Sequence, residues 1–338
     1  MNLNQVNAQQ LRRLIRLCVE TGKTLYIEGG PGCGKTAITR DVLSGMEREQ
    51  IYECAAYLNQ SNFGLPCPDG DWLRVLRPQR WFEKKATLIF DEADKLSPML
   101  QQQMCQIAHE QRLGDDRMKP GSSVILIGNR VQDANGSYGS SNILTSRCAR
   151  VSFEPTSDEI MAYAHKAKWH PALTAALDLN RSLCYKPNAG KDRFPSPRTW
   201  ENCSTLMIAS EDDQGLWPHI ISAHVGDEAA SHVVALLECY SELVPVADVY
   251  KNPSKAPIPK KPHARMLQAH VVAGSSTKDT LKAALTYLYR MPAEVWLSMF
   301  QAICTVYSSV CMGELIDWAR QNGQMDAMKG LIIQPEGK

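Results

Sequence analysis

The sequence lacks a strong net charge, paired cysteines and long apolar runs. Its 37 basic and 36 acidic residues leave a formal charge of +1, so no overall field draws the chain onto DNA or an anionic membrane. The eleven cysteines are scattered without a C-x-x-C pair, which favours reduced thiols over a zinc site or a disulfide framework. No apolar run approaches the roughly 18 residues that cross a bilayer, and the first residues lack a signal-peptide pattern. We therefore expect a soluble, cytoplasmic protein without a membrane partner.

The chain of 338 residues is long enough for two or three compact units. Residues 1–155 alternate helical patterns with short, continuously apolar strand patterns, which favours an α/β fold with a parallel sheet covered by helices on both faces. Beyond this domain we expect an α-helical lid at 156–245, a Pro/Lys-rich linker at 246–262 and a helical C-terminal extension at 263–338. The strands are predicted at Thr24–Glu28, Ile51–Ala55, Ala86–Phe90, Ser123–Ile127 and Arg150–Phe153.

A glycine-rich loop follows the first of these strands and opens a helical pattern. The sequence G-x4-G-K-T in a strand–loop–helix context is typical of a phosphate-binding loop. Backbone N–H groups and the helix N-terminus would surround the phosphates, Lys35 would reach the β- and γ-phosphates, and the Thr36 hydroxyl would bind Mg²⁺. The predicted nucleotide-binding residues of this loop are Gly29, Gly30, Pro31, Gly32, Cys33, Gly34, Lys35, Thr36 and Ala37.

Two adjacent carboxylates end the third predicted strand. Asp91 follows Phe90 directly and is placed to hold Mg²⁺ together with Thr36. Glu92 can polarise an attacking water as a general base. A carboxylate pair behind a phosphate loop favours hydrolysis of the bound nucleotide over transfer to a small acceptor.

Three later polar residues complete the predicted site. Asn129 ends the fourth strand and could hydrogen-bond the γ-phosphate or the attacking water. Arg147, just before the last strand, is placed to act on the site of a neighbouring subunit as an arginine finger, with Arg150 as the rival for this role. Arg198 opens a helix and could reach back to the γ-phosphate, which would link the helical domain to the nucleotide.

These elements, in this order, resemble the AAA+ ATPases, and within them the MoxR-like branch. The branch resemblance covers nearly the whole chain and rests on Asn62–Pro66, Glu110–Gly114, Gly128–Arg130, Pro197–Glu201 and Leu285–Pro292. It implies an ATP-driven oligomer, usually a hexameric ring, that uses Mg²⁺ and remodels a partner protein. It also implies a partner with a von Willebrand factor A domain and a pore-facing loop around Phe63.

Other features of the sequence keep a nucleic-acid-associated ATPase open as an alternative. Ser146-Arg147-Cys148 resembles the corresponding stretch of clamp loaders, and the lysines of Lys251–Pro262 could contact phosphates, although a solvated linker is the preferred interpretation. Tryptophans interleaved with arginines could form a stacking patch for nucleic acid, or belong to an insertion that faces a subunit or a substrate. The residues of this patch are Trp72, Arg74, Arg77, Arg80 and Trp81.

Overall fold

The computed structural model describes residues 4–133, 138, 141–187, 192–307 and 312–326. The chain divides into two compact units. The first runs to Thr156 and takes in two later segments, one beginning at Tyr185 and one at Ser196–Arg198. The second consists of Ser157–Cys184, Arg193–Pro195 and the chain from Thr199 onward. The predicted division of the later residues into lid, linker and extension stays a prediction.

The first unit is built on a parallel sheet of six strands in the order β1-β10-β2-β9-β6-β3. Two small antiparallel hairpins, β4–β5 and β7–β8, complete its strands. The predicted α/β fold class is therefore confirmed, with β1 as an edge strand that the sequence patterns did not indicate. The strands of the described residues are β1 Gln5–Val6, β2 Leu25–Glu28, β3 Gln50–Cys54, β4 Leu65–Asp69, β5 Trp72–Leu76, β6 Thr87–Asp91, β7 Arg112–Leu113, β8 Asp116–Arg117, β9 Ser123–Gly128 and β10 Ala149–Phe153.

Helices cover both faces of this sheet because successive strand residues point to opposite sides. Leu25 and Ile27 pack with residues of α1 and α2, whereas Tyr26 packs with residues of α5 on the other face. Asn7 caps α1 in a capping box with Gln10. The helices described in this unit are α1 Ala8–Thr21, α2 Lys35–Gly45, α3 Gln60–Phe63, α4 Arg80–Glu83, α5 Pro98–Glu110 and α6 Asn142–Thr145.

The remaining helices belong largely to the second unit, whose core combines aliphatic side chains with a cluster of aromatic ones. Trp318 makes ring contacts with Tyr289, Trp296 and Phe300. Within the described ranges, no helix has the length and apolar character that a bilayer crossing requires. These helices are α7 Ser157–Lys166, α8 Pro171–Leu179, α9 Pro197–Ala209, α10 Trp217–Val225, α11 Asp227–Leu237, α12 Val246–Lys251, α13 Pro262–Gly274, α14 Leu281–Leu288, α15 Ala293–Tyr307 and α16 Met312–Gln321.

The segment between α12 and α13 is anchored to the second unit, although its lysines are exposed. Ala256 is buried in the core of the second unit. The Tyr287 hydroxyl donates to the carbonyl of Pro257, and Arg290 donates to the carbonyls of Pro253 and Ala256. Because prolines leave their carbonyls available as acceptors, the segment is anchored by side chains of α14 and the residues that follow it.

A buried carboxylate joins three elements of the second unit. Asp178 on α8 accepts ion-pair contacts from Arg181 at 2.5 Å and from the ring of His270 on α13 at 3.2 Å, and His165 on α7 lies 3.9 Å away. Burial alone would raise the pKa of Asp178, but the two neighbouring histidine rings and the charge of Arg181 outweigh it and hold the pKa below its usual range.

We expect Asp178→Asn to lower the free energy of unfolding by about 3 kcal/mol, because it removes one partner from a buried charge cluster. A depressed carboxyl pKa stabilises the fold above the unfolded-state value of about 4 and ceases to do so as the pH falls through the native value. The difference in the free energy of unfolding between the wild type and Asp178→Asn, measured by urea unfolding, should therefore be largest above pH 4 and become smaller below it. The exposed Asp212→Asn serves as the control. Equal effects of the two variants at every pH would contradict the prediction.

Candidate active site

The predicted site residues meet at one edge of the sheet because parallel strands end together. Glu28 of β2 pairs with Gly128 of β9, and Cys54 of β3 pairs with Asp91 of β6. The glycine loop, Asn129 and the two carboxylates each follow one of these strand ends. Open parallel sheets bind their ligands at this carboxyl edge.

The Lys35 ammonium lies buried in the mouth of the loop. Its Nζ donates to the carbonyls of Gly29 and Gly30 at 2.9 and 2.8 Å and to Asn129 Oδ1 at 3.1 Å. Burial lowers the pKa of Lys35, although the nearby carboxylates Asp91 and Asp94 oppose the shift. A cation removed from water and surrounded by neutral oxygens is suited to an anionic ligand.

The helix behind the loop supplies further anion-binding groups. Helix α2 starts at Lys35. Its N-cap residue, Gly34, has φ +99° and gives no side-chain cap. Its first N–H groups therefore lack a capping side chain, and the helix dipole adds positive potential there. The residues present thus fit the phosphates of a nucleotide. Cys33 is buried beside Lys35, and burial raises the pKa of its thiol.

Glycines let two later segments of the first unit approach the loop closely. A Cβ on Gly30 would clash with the Tyr185 hydroxyl, and a Cβ on Gly32 would lie 2.6 Å from Ser196 Oγ. The Arg198 backbone N–H donates to the Gly32 carbonyl at 3.3 Å, which places Arg198 beside the loop. Tyr185 and Ser196 are missed by sequence reasoning because no motif links them to residues more than a hundred positions earlier.

The Asp91 carboxylate is held from both sides. Its Oδ2 accepts from the Thr36 hydroxyl at 2.7 Å and from the Tyr52 hydroxyl at 2.6 Å, and its Oδ1 accepts from the Glu92 N–H at 2.9 Å. Burial and the contact with Asp91 raise the pKa of Tyr52, so this side chain stays a donor at neutral pH. Paired hydroxyl and carboxylate oxygens are hard ligands that fit Mg²⁺. Sequence patterns indicated Thr36 and Asp91 but not Tyr52.

Glu92 occupies an uncommon backbone conformation, with φ at 58° and ψ at 35°. Such left-handed residues cost free energy and cluster at functional sites. Its Oε2 lies 3.1 Å from Lys95 Nζ and accepts from the Cys54 thiol at 3.6 Å. The carboxylate is thus beside Asp91, at the same edge as Lys35.

Asn129 is positioned by a buried carboxylate. Its backbone N–H donates to Asp94 Oδ1 at 2.9 Å, and its side-chain oxygen accepts from Lys35. Asp94 is fully buried. This arrangement holds the Asn129 side chain beside the Lys35 ammonium at the loop.

Arg147 lies at the opposite, amino edge of the sheet. It precedes β10, whose Ala149 pairs with Leu25 at the start of β2, whereas the loop follows the end of β2. The four residues of β2 separate these edges by more than about 10 Å. Arg147 is exposed and lines an open cleft of about 580 Å³ with Lys23 and His109. Arg150, the rival, instead pairs with buried Glu28 at 2.7 Å.

Three of the five residues of the candidate stacking patch are engaged in internal contacts. Trp81 is buried against Phe90, and its Nε1 donates to Glu53 at 2.6 Å. Arg80 also pairs with Glu53, and Arg77 pairs with Asp116. Glu53 of β3 thus ties α4 to the sheet, and the Arg77–Asp116 pair joins the segment after β5 to the hairpin β7–β8.

Phe63, in the loop that the resemblance implies to be pore-facing, is itself buried. Its ring is only 3% exposed and packs edge-on against Trp81. The exposed apolar side chains of this region lie instead on the hairpin β4–β5, including Trp72 and Leu73.

A scan against protein-family models finds no match, and neither does a search of the curated proteins. Among solved structures, the chain is similar to the RuvB Holliday junction branch migration motor of Thermotoga maritima, with 13% identity and a TM-score of 0.37 over 73% of this chain and 76% of that one. It is also similar to NtrX of Brucella abortus in complex with ADP, with 16% identity and a TM-score of 0.40 over 93% of this chain and 68% of that one. Likenesses at this level carry no functional conclusion.

We expect Gly30→Ala to weaken nucleotide binding at least tenfold, because the added Cβ forces the loop or Tyr185 to move. The double variant Gly30→Ala/Tyr185→Phe should recover most of the affinity, since the nearest remaining ring atom would lie 3.3 Å from that Cβ. Affinity can be measured with a fluorescent ADP analogue. Gly45→Ala, which has open space around its Cβ, is the control. Failure of the second substitution to restore binding would contradict the close approach.

Proposed function

We propose that this chain is an AAA+ ATPase that hydrolyses Mg²⁺-bound ATP. The observation that supports it best is the meeting of buried Lys35, the Thr36–Asp91 pair and Glu92 at the carboxyl edge of one parallel sheet. Mg²⁺ held by Thr36 and Asp91 would neutralise charge on the β- and γ-phosphates. Lys35 and the N-terminus of α2 bind the phosphates, and Asn129 orients the terminal phosphate or the water.

Glu92 is the general base of this proposal. It follows Asp91 directly, so it reaches the same end of the phosphate chain as the Mg²⁺ ligands. Its contact with Lys95 competes with the role of base, because the Oε2 atom that contacts the Lys95 ammonium is directed away from the attacking water. The proposal therefore requires Glu92 to turn from Lys95 towards the water when the nucleotide is in place.

The proposed site is completed by a second copy of the chain. Arg147 cannot serve the loop of its own sheet from the opposite edge, but a head-to-tail neighbour would bring one copy's amino edge to another's carboxyl edge. Repetition of such a contact gives a ring when its rotation closes, and we propose a closed hexamer on the MoxR-like resemblance. Arg198, beside Gly32, would contact the terminal phosphate from within the same chain.

We further propose that the ring remodels a partner protein. The hairpin β4–β5 supports this role because it presents apolar side chains to solvent: Trp72 is 81% exposed and Leu73 is 72% exposed. A partner with a von Willebrand factor A domain follows from the branch resemblance. The nucleic-acid alternative loses one of its sequence arguments, since Trp81, Arg77 and Arg80 are engaged in internal contacts.

Glu92→Gln should reduce steady-state ATP hydrolysis by about 10²- to 10⁴-fold, because the amide cannot take a proton from the attacking water. Nucleotide binding should change little, since Glu92 does not hold the phosphates. Phosphate release and the binding of a fluorescent ATP analogue measure the two effects separately. Unchanged turnover would rule out Glu92 as the base.

Arg147→Ala should also abolish hydrolysis while leaving nucleotide binding intact, because the finger stabilises the transition state at a neighbour's site. Lys35→Ala subunits are inactive for a different reason, namely the loss of binding. Mixing the two inactive variants should restore activity, since about one quarter of the interfaces in a random ring combine an intact loop with an intact finger. No recovery in rings shown to contain both variants would overturn the trans role.

A further inference from the structure

Tyr52 makes a contact at the proposed metal site that no motif accounts for. It lies on β3, the edge strand beside β6, and its hydroxyl donates to Asp91 Oδ2 at 2.6 Å. Cys54, two residues later on the same face of β3, donates its thiol to Glu92. One face of this edge strand therefore supports both carboxylates of the site.

The Tyr52 hydroxyl further restricts the rotation of the Asp91 carboxylate. Asp91 Oδ1 is fixed by the backbone N–H of Glu92, and Oδ2 is fixed by the hydroxyls of Thr36 and Tyr52 together. A carboxylate with both oxygens engaged keeps one orientation, so the entropy of ordering it is lost before the metal binds.

The ring of Tyr52 is itself held by the helix that carries Thr36. The Arg40 guanidinium lies 4.2 Å from the ring centroid, in a cation–π contact. Arg40 follows Thr36 by four positions on α2, so both side chains project from the same face of that helix. Helix α2 thus positions Asp91 twice, once through Thr36 and once through Arg40 and Tyr52.

We propose that Tyr52 is a positioning residue that sets the affinity of this site for Mg²⁺ through Asp91, an inference that rests on the proposed nucleotide-binding function. Groups that hydrogen-bond a metal ligand typically change metal affinity or activity by about 10- to 100-fold when they are removed. The Tyr52 side chain is 37% exposed, so loss of its hydroxyl leaves no buried polar group without solvent. Its effect should therefore appear at the metal site rather than in the stability of the fold.

The test measures nucleotide binding as a function of Mg²⁺ concentration, with a fluorescent ADP analogue as the probe. Tyr52→Phe should raise the half-saturating Mg²⁺ concentration about tenfold. Its nucleotide affinity in excess EDTA and its melting temperature should match those of the wild type. Tyr57→Phe, at an 85% exposed tyrosine of the same unit, is the matched control and should behave as wild type. Arg40→Gln should shift the Mg²⁺ dependence in the same direction by a smaller factor.

The outcomes separate this inference from the proposed function. A wild-type Mg²⁺ dependence in Tyr52→Phe would overturn the positioning role, and so would an equal loss of affinity in EDTA. Glu92→Gln tests the proposed ATPase function separately, because this variant should bind Mg²⁺ and nucleotide normally without hydrolysis. If the wild type binds nucleotide in a Mg²⁺-dependent manner but does not hydrolyse ATP, the proposed function fails while the role of Tyr52 is still supported by the titration.

Discussion

The buried ammonium of Lys35 is the constraint on which the rest of the candidate site depends. It is held by the carbonyls of Gly29 and Gly30 and by Asn129, all of which are neutral acceptors. Burial still lowers the pKa of Lys35 although Asp91 and Asp94 oppose the shift, so these groups replace only part of the water that the cation has lost. An anionic phosphate would supply the missing charge, so the site has an electrostatic reason to bind one.

The hydrogen bonds of the Asp91 carboxylate are a second constraint on the candidate site. This carboxylate ties α2, β3 and β6 together through Thr36, Tyr52 and the backbone of Glu92. The same strand end forces Glu92 into a left-handed conformation that only the surrounding structure maintains. Rigid placement of the metal ligands and strain at the proposed base therefore arise at adjacent residues. In the proposed cycle the metal ligands Thr36 and Asp91 stay fixed, while Glu92 turns from Lys95 to the attacking water.

The sheet topology distinguishes two arginines that have the same side-chain chemistry and are both candidates for the arginine finger. Arg147 and Arg150 are three positions apart and carry the same guanidinium group. Arg150 lies within β10 and neutralises buried Glu28, while Arg147 precedes the strand and lines an exposed cleft. The parallel direction of every strand in the sheet then places Arg147 at the far edge from its own loop, which makes a neighbouring copy its proposed target.

The amino-acid sequence by itself determined the parallel sheet, its main strands and the motif residues from Gly29 to Asp91, because short apolar strands and a phosphate loop are local patterns. It also indicated Asn129, since a polar residue at the end of an apolar strand pattern can be recognised from the sequence alone. Only the tertiary structure brought Tyr52, Tyr185 and Ser196 to the site and buried Phe63 and Trp81. Those placements depend on strand order and on close backbone approach between distant segments, and no local pattern encodes either of them.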